Sequence, residues 1–381
     1  MAELAGFQQR GARVLLLAPE QAEISRRARR AGIVVRPLSG GKLGFLANTV
    51  KTARWLRAER FEIVNPHSSR DGWLVGLAAR LAGSPLVIRT RHIDVEYHNR
   101  WLSRHAFVTL ADHLLTTSEK ITRHFQTIFG LPPSRISTIP TGIDLTRFSP
   151  LGSKADLPRD FSPMASSATA APGAPGVPGV PGVPEVPVVG MVSVLRSWKG
   201  HSVFLAAVRL LKQTAFKARF LIVGDGPMRS SIVQSILDSG LEHDVLLAGH
   251  REDVPETLRA LDLLIIPSTR HEGVPQIGLQ ALATMTPVIG SDTGGIPEII
   301  QSGKTGRIFP SGNPQLLADA IRESFMRPDE TRGMTERGRQ LVERHHSLDS
   351  MLDAIEAIYS RYLGSKPGSL EKSPSRSGFP R

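Results

Sequence analysis

Two short apolar runs, residues 261–267 and 287–290, bracket a stretch that opens with Pro275 and repeats apolar side chains at helical spacing. Runs of this length read as strands buried on both faces. Parallel neighbours need a crossover, so a strand–helix–strand unit of this kind predicts a parallel sheet. The alternation recurs along the chain. Strands are expected at 13–18, 33–37, 61–66, 86–90, 112–118, 135–140, 186–195, 220–224 and 244–250. Helices are expected at 3–12 (closing on Gly11), 21–31, 43–57, 71–82, 313–326, 329–345 and 347–363. The last of these is apolar at Met351, Leu352, Ile355, Ile358 and Tyr362. A doubly wound α/β fold follows, with functional residues at the strand C-terminal ends.

The 381 residues suffice for two such domains. Residues 151–186 break the pattern with a low-complexity Pro/Gly/Val tract that lacks any helical period and reads as a semi-rigid insert. The expected division is therefore 1–150, the insert, 187–345, a C-terminal helix at 346–363 returning to the first domain, and a disordered basic tail at 364–381. Cysteine is absent, which excludes disulfides and thiolate metal sites. No apolar run reaches membrane-spanning length and no signal-peptide core opens the chain, so a cytoplasmic location is expected. A net charge of +12 points to anionic partners such as nucleotide diphosphates or an acidic membrane surface. Aromatic content of 6% argues against base stacking on nucleic acid.

The stretch around Pro275 reads as a ligand site. Pro275 suits the first position of a helix whose Ile277, Ala281, Leu282 and Met285 share one face, with Gln276 and Gln280 on another. The unpaired N–H groups of a helix start favour a phosphate. Glu272, just outside, is expected free to accept hydroxyl hydrogen bonds. Thr293-Gly294-Gly295 lets backbone approach an anion. Arg196 and Lys199 follow the strand at 186–195 and place a basic pair near a diphosphate. Gly226 lies in a Gly-x-Gly turn that is weak evidence by itself. In the first half, the polar turn 65–72 and the strand end at 89–92 stand out. There Arg70, Arg89 and Arg91 could equally form a solvated basic rim.

The string from Glu272 to Glu298 resembles the signature of family 4 of the retaining glycosyltransferases: Glu-Gly-x-Pro, a second Glu eight positions on, then Pro-Val and Gly-Gly-x-Pro-Glu. The resemblance implies a GT-B fold, two Rossmann-like doubly wound parallel-sheet domains facing a central cleft. It implies donor or nucleotide binding by Arg196, Lys199, Gly226, Gly273, Val274, Pro275, Gln276, Gln280, Gly294 and Gly295. Catalytic roles fall to Glu272, on the donor sugar, and to His92. An acceptor side is expected at His67, Ser69 and Arg70.

Departures accompany the likeness. Gln280 stands where the family holds ribose with a second Glu, an exchange expected to weaken nucleotide binding about tenfold, since charge-assisted bonds are the stronger kind. Val194 replaces an Arg, with Arg196 as stand-in. Residues 140–148 resemble the family's domain-junction turn with Thr141 in place of Asn, and Gly142 is expected there at positive φ. The family's first strand and Gly-rich loop have no counterpart before the helix at 3–12, so the chain as written is expected to fold poorly alone.

The implied activity is retaining transfer from a nucleotide-diphosphate sugar to a hydroxyl of a cell-envelope glycan or lipid-linked acceptor, of the lipopolysaccharide-building kind. Neither a metal nor another cofactor is expected. Alternatives are a degenerate nucleotide-sugar-binding protein and a UDP-N-acetylglucosamine 2-epimerase-like enzyme.

Overall fold

The computed structural model of the chain describes residues 1–38, 44–83, 86–91, 100–157, 186–270 and 272–364, without the side chains of 69–71 and 100. The described residues fall into two compact units. Unit 1 lies within Met1–His92, Glu96–Gly142 and Leu348–Arg381, and unit 2 within Ile143–Ser347. His92, most of the proline-rich insert and the tail from 365 lie outside the described residues.

Unit 1 runs α1 (Ala2–Gln9), β1 (Leu15–Ala18), α2 (Glu23–Arg30), β2 (Val34–Pro37), α3 (Phe45–Glu59), β3 (Ile63–Val64), α4 (Ser69–Ala82), β4 (Leu86–Arg91), α5 (Arg100–Arg104), β5 (His113–Thr116), α6 (Glu119–Phe129) and β6 (Ile136–Thr138). Its strands pair in parallel as two separate ladders, β2-β1 and β3-β4-β5-β6. Local chemistry sets the elements. Ser118 caps α6 by accepting the Ile121 N–H at 3.3 Å, and Gly130 closes it in the left-handed region. Ile121, Phe125 and Phe129, each four residues on, then bury one face. Phe125 meets the ring of Phe107 edge-on at 4.8 Å.

All six residues of β4 are buried, so Arg89 and Arg91 are no solvated rim. Arg89 tolerates burial because its guanidinium donates to the Ala106 carbonyl at 2.9 Å and lies 3.7 Å over the Phe107 ring.

Unit 2 runs β7 (Val188–Val192), α7 (His201–Lys212), β8 (Arg219–Val223), α8 (Arg229–Asp238), β9 (Val245–Gly249), α9 (Val254–Ala260), β10 (Leu263–Ile266), α10 (Gln276–Ala283), β11 (Val288–Ser291), α11 (Ile296–Ile299), β12 (Arg307–Phe309), α12 (Pro314–Met326) and α13 (Pro328–His345). All six strands join one parallel sheet in the order β12-β11-β10-β7-β8-β9. The chain walks outward from β7 to β9, returns to β10 beside β7, and walks outward again to β12. Helices α7, α8 and α12 cover one face. The other face is covered by α9, α10, α11 and α13.

The final helix, α14 (Leu348–Leu363), belongs to unit 1, where Leu352, Ile355 and Ile358 pack with Phe7 of α1 and Leu86 and Ile88 of β4. His113 on β5 pins its far end, with Nδ1 3.1 Å from the Tyr362 hydroxyl and 3.0 Å from Arg361, and Nε2 2.9 Å from Ser137 Oγ. Gly142 does not take the positive φ expected of it. The chain continues there into the Ile143–Ser347 bridge, the Gly142 N–H meets Met351 Sδ at 3.2 Å, and the turn is made later by Asp144, which accepts the Thr146 and Arg147 N–H groups.

Candidate active site

In unit 2 the strand walk reverses between β7 and β10, the place where open α/β sheets leave a crevice for ligands. Four loops from adjacent strand ends converge there: 193–200 after β7, 224–228 after β8, 267–270 with 272–275 after β10, and 292–295 after β11. Their contacts are backbone to backbone. The Thr269 N–H donates to the Trp198 carbonyl at 2.8 Å, and the Gly295 N–H to the Glu272 carbonyl at 3.2 Å. A Cβ on Gly200, at φ +77, would stand 1.8 Å from the Pro267 carbonyl oxygen, and one on Gly294, at φ +61, 2.0 Å from that of Glu272. Only glycine satisfies both the left-handed backbone and the close approach.

This packing brings Lys199 to Glu272. The ammonium donates to both carboxylate oxygens, at 2.9 and 2.7 Å, and Ser268 Oγ donates to Oε2 at 2.6 Å. Glu272 is 9% exposed. The carboxylate expected to stand free is thus held on two sides, because burial of a charge at a strand end demands partners. Ser268 is itself oriented, its carbonyl accepting from Ser291 Oγ at 2.6 Å.

His201, which opens α7 directly after Gly200, is buried with Nε2 3.4 Å from Ser193 Oγ. Burial pulls its imidazole down to about 4, against a hydrogen bond with the Arg196 carbonyl, and nearby Lys199 pulls the same way. Ser268 and His201 were not singled out in the sequence. Their signals are a serine closing the apolar run four residues before Glu272 and a histidine abutting Lys199-Gly200.

Other expected residues fall as follows. Gly273 and Val274 back onto Gly295, whose Cβ would lie 2.9 and 2.8 Å from their backbones. Gly226 abuts the Leu195 backbone. Pro275 is the cap rather than the first helical residue, its ψ of 117° still extended, and Gln276 begins α10 exposed, with Gln280 half-buried one turn on. Met285 lies past the helix end at φ 57, so the buried face is instead Gly278, Leu279, Ala281, Leu282 and Ala283. Arg196 stays exposed, with its guanidinium 5.7 Å over the Trp198 ring. In unit 1, His67 is exposed in the turn after β3, and Ser69 and Arg70 open α4 with side chains outside the described set. His92 lies outside the described residues altogether.

A model of Glycosyltransferase Family 4 matches residues 2–147, and one of Glycosyl transferases group 1 matches residues 186–326. The chain belongs to the group 1, family 4 glycosyltransferases. This family 4 chain is 28% identical over 262 residues to the Escherichia coli UDP-Gal:alpha-D-GlcNAc-diphosphoundecaprenol alpha-1,3-galactosyltransferase, a match covering 66% of the chain and 62% of that relative. It spans between 38% and 62% of the length of three curated relatives it matches. Among solved structures it resembles a glycosyltransferase from Rickettsia africae (TM-score 0.78, 20% identity, 95% of this chain and 93% of that one). It also resembles Anabaena HepE in complex with UDP (TM-score 0.75, 20% identity, 94% and 96%). The fold is GT-B.

Proposed function

We propose that this chain transfers a sugar, with retention at the anomeric carbon, from a nucleotide-diphosphate sugar to a hydroxyl of a cell-envelope glycan or lipid-linked acceptor. The Lys199–Glu272 pair at the sheet reversal carries this reading: a cation and a carboxylate held on loops that are stapled together. On donor binding Lys199 leaves Glu272 for the diphosphate, joined by backbone N–H groups at Gly294 and the first turn of α10. Glu272, still gripped by Ser268, turns to the sugar hydroxyls.

The bond from anomeric carbon to phosphate oxygen breaks while the acceptor oxygen attacks the same face, and its proton passes to the departing diphosphate. Positive charge at Lys199 stabilises the negative charge growing there, a task that in other enzymes falls to a metal.

The donor and acceptor classes are supported by the relative's name, with its UDP-Gal and diphosphoundecaprenol, and by HepE solved with UDP-glucose. A peripheral seat on an acidic inner membrane face is supported by α3, where Leu46 (78% exposed) and Val50 line an open groove with Lys51 and Arg54. Among the described residues no helix is long and apolar enough to cross a membrane.

Calorimetric titration of nucleoside diphosphates into the native and Lys199→Ala proteins, with NMR of the product anomer in the presence of EDTA and lipid-linked acceptors, tests it. Lys199→Ala should bind about 10- to 100-fold more weakly, the worth of a charge-assisted bond, and the native product should keep the donor's anomeric configuration. Full affinity in Lys199→Ala overturns the site. Binding without transfer favours the degenerate binder, and donor conversion without acceptor the epimerase.

A further inference from the structure

Aromatic residues make up only 6% of the chain, yet three stacked rings gather at one end of unit 1. Parallel strands all finish at the same edge of their sheet, and the chain leaves that edge twice in succession, from β3 into α4 and from β4 towards α5. Trp73 lies just past the first turn of α4, and Trp101 lies in the first turn of α5. The His105 imidazole stacks with both: its centroid is 5.7 Å from the Trp73 ring at an interplanar angle of 25°, and 6.3 Å from the Trp101 ring at 14°. Both geometries fall in the offset-stacked range.

The stack is anchored from beneath. His105 opens a widened turn in which the Leu110 N–H donates to the His105 carbonyl five residues back, at 3.1 Å. The next carbonyl, that of Ala106, receives the buried Arg89 guanidinium, and Arg104 donates to the Phe129 carbonyl. His105 and Trp73 are half-buried, whereas Trp101 is 74% exposed. A single exposed apolar side chain ordinarily calls for no explanation. This one ends an ordered stack at a strand-end edge, where α/β folds bind their ligands. Its surroundings are polar: one helical turn on stand Arg104 and His105, and Leu102 is its exposed apolar neighbour on α5, whereas α3 presents Leu46, Ala47 and Val50 together. A flat apolar face beside hydrogen-bonding groups complements a pyranose ring, which carries axial C–H bonds on a face and hydroxyls around its rim. The C–H edges are slightly positive and the indole face is negative.

We propose that Trp101 is the platform on which a pyranose ring of the acceptor stacks, with His105 and Trp73 holding the indole in orientation. The inference rests on the sugar-transfer reading above and adds to it a chemical class of acceptor: a sugar with a run of axial C–H bonds on one face, such as glucose or N-acetylglucosamine. Donor binding at Lys199 proceeds without it.

Saturation-transfer NMR on the full chain with UDP present tests this, with methyl β-glucoside and methyl β-N-acetylglucosaminide as the probes. In the native protein the axial protons of one ring face should take up more saturation than those of the other. The dissociation constant should rise about tenfold in Trp101→Ala, the worth of one aromatic contact. Trp101→Phe should keep most of the affinity, and Trp101→Leu, apolar but without a π face, should behave like the alanine variant. His105→Ala should fall between, because the indole stays but loses its support. Substitution at so exposed a position should leave the melting temperature close to native. Affinity for UDP should also stay the same in every variant, so failure here leaves the donor-site reading intact. Three results overturn the idea: no preference for one ring face with either glycoside; Trp101→Leu binding as tightly as native, which makes the contact merely apolar; or native sugar affinity in Trp101→Ala, and if that variant instead stops co-sedimenting with phosphatidylglycerol vesicles, the indole belongs to a membrane interface.

Discussion

Unit 2 and unit 1 both wind parallel strands, but among the described residues only unit 2 joins all of its strands in one sheet. In unit 2, β7 and β10 are hydrogen-bonded neighbours, and the loops they launch are stapled by main-chain bonds and by glycines pressed against carbonyl oxygens. In unit 1, β1 and β3 belong to different ladders. Its buried charge sits one strand further over, on Arg89 and Arg91 of β4. The difference teaches that strand adjacency comes before site chemistry. Lys199 can grip Glu272, 73 residues away, only because two strand ends are held side by side.

The contrast can be pressed experimentally. Glu272→Gln keeps the shape of the site but removes the charge that occupies Lys199. Transfer should fall about 10²- to 10³-fold, as when a preorganised electrostatic contact is lost. Affinity for free UDP should instead rise about fivefold, since the charge-assisted bond competing for Lys199 is gone; calorimetry and initial rates read the two effects separately.

Glycines separate the units next. Gly294→Ala meets the Glu272 carbonyl at 2.0 Å, whereas Gly32→Ala in unit 1, at a similar positive φ, meets nothing within 4 Å. Gly32→Ala should cost only the left-handed penalty of about 1–2 kcal/mol. Gly294→Ala should lower the melting temperature by on the order of 10 °C, with overpacking added to the same penalty, and only Gly294→Ala should weaken nucleotide binding. Gln280→Glu should tighten UDP about tenfold by restoring a charged acceptor for ribose hydroxyls, measurable in the same titration.

Acid is the mildest probe. His113 of unit 1 and His201 of unit 2 are both held near 4, mainly by burial, from an ordinary 6.5. The unfolded chain takes up these protons near pH 6.5, whereas the folded chain resists until about 4. Stability should thus be full above 6.5 and decline between 6.5 and 4, with the melting temperature falling on the order of 5 °C. His113→Gln should flatten the decline for unit 1 and His201→Gln for unit 2.

Much of this was readable in the chain itself. Glu272, Lys199 and Gly294 stand four or five residues after short apolar runs, and a parallel sheet puts such positions at one edge, so their convergence follows from strand order. What sequence spacing could not carry was pairing at a distance. Glu272 reads as a free acceptor until Lys199 and Ser268 are seen on it. Arg89 and Arg91 read as surface charge because the carbonyl and ring that receive Arg89 lie 17 and 18 residues further on, at Ala106 and Phe107. Met285 reads as part of the apolar face of α10, but Thr284 Oγ1 bonds back to the Gln280 and Ala281 carbonyls and the helix ends before it. Gly142 reads as the turn residue, although the side chain of Asp144 makes the turn instead.

One contact near Lys199 makes the molecule able to report on itself. Trp198 is the sole tryptophan between residues 143 and 347, and the Arg196 guanidinium rests 5.7 Å above its ring. Replacing the other three indoles, Trp55, Trp73 and Trp101, by phenylalanine leaves a single fluorophore beside the loop proposed to meet the diphosphate. An arriving diphosphate that draws Arg196 off that ring changes the emission without any label, giving a direct optical titration of site occupancy.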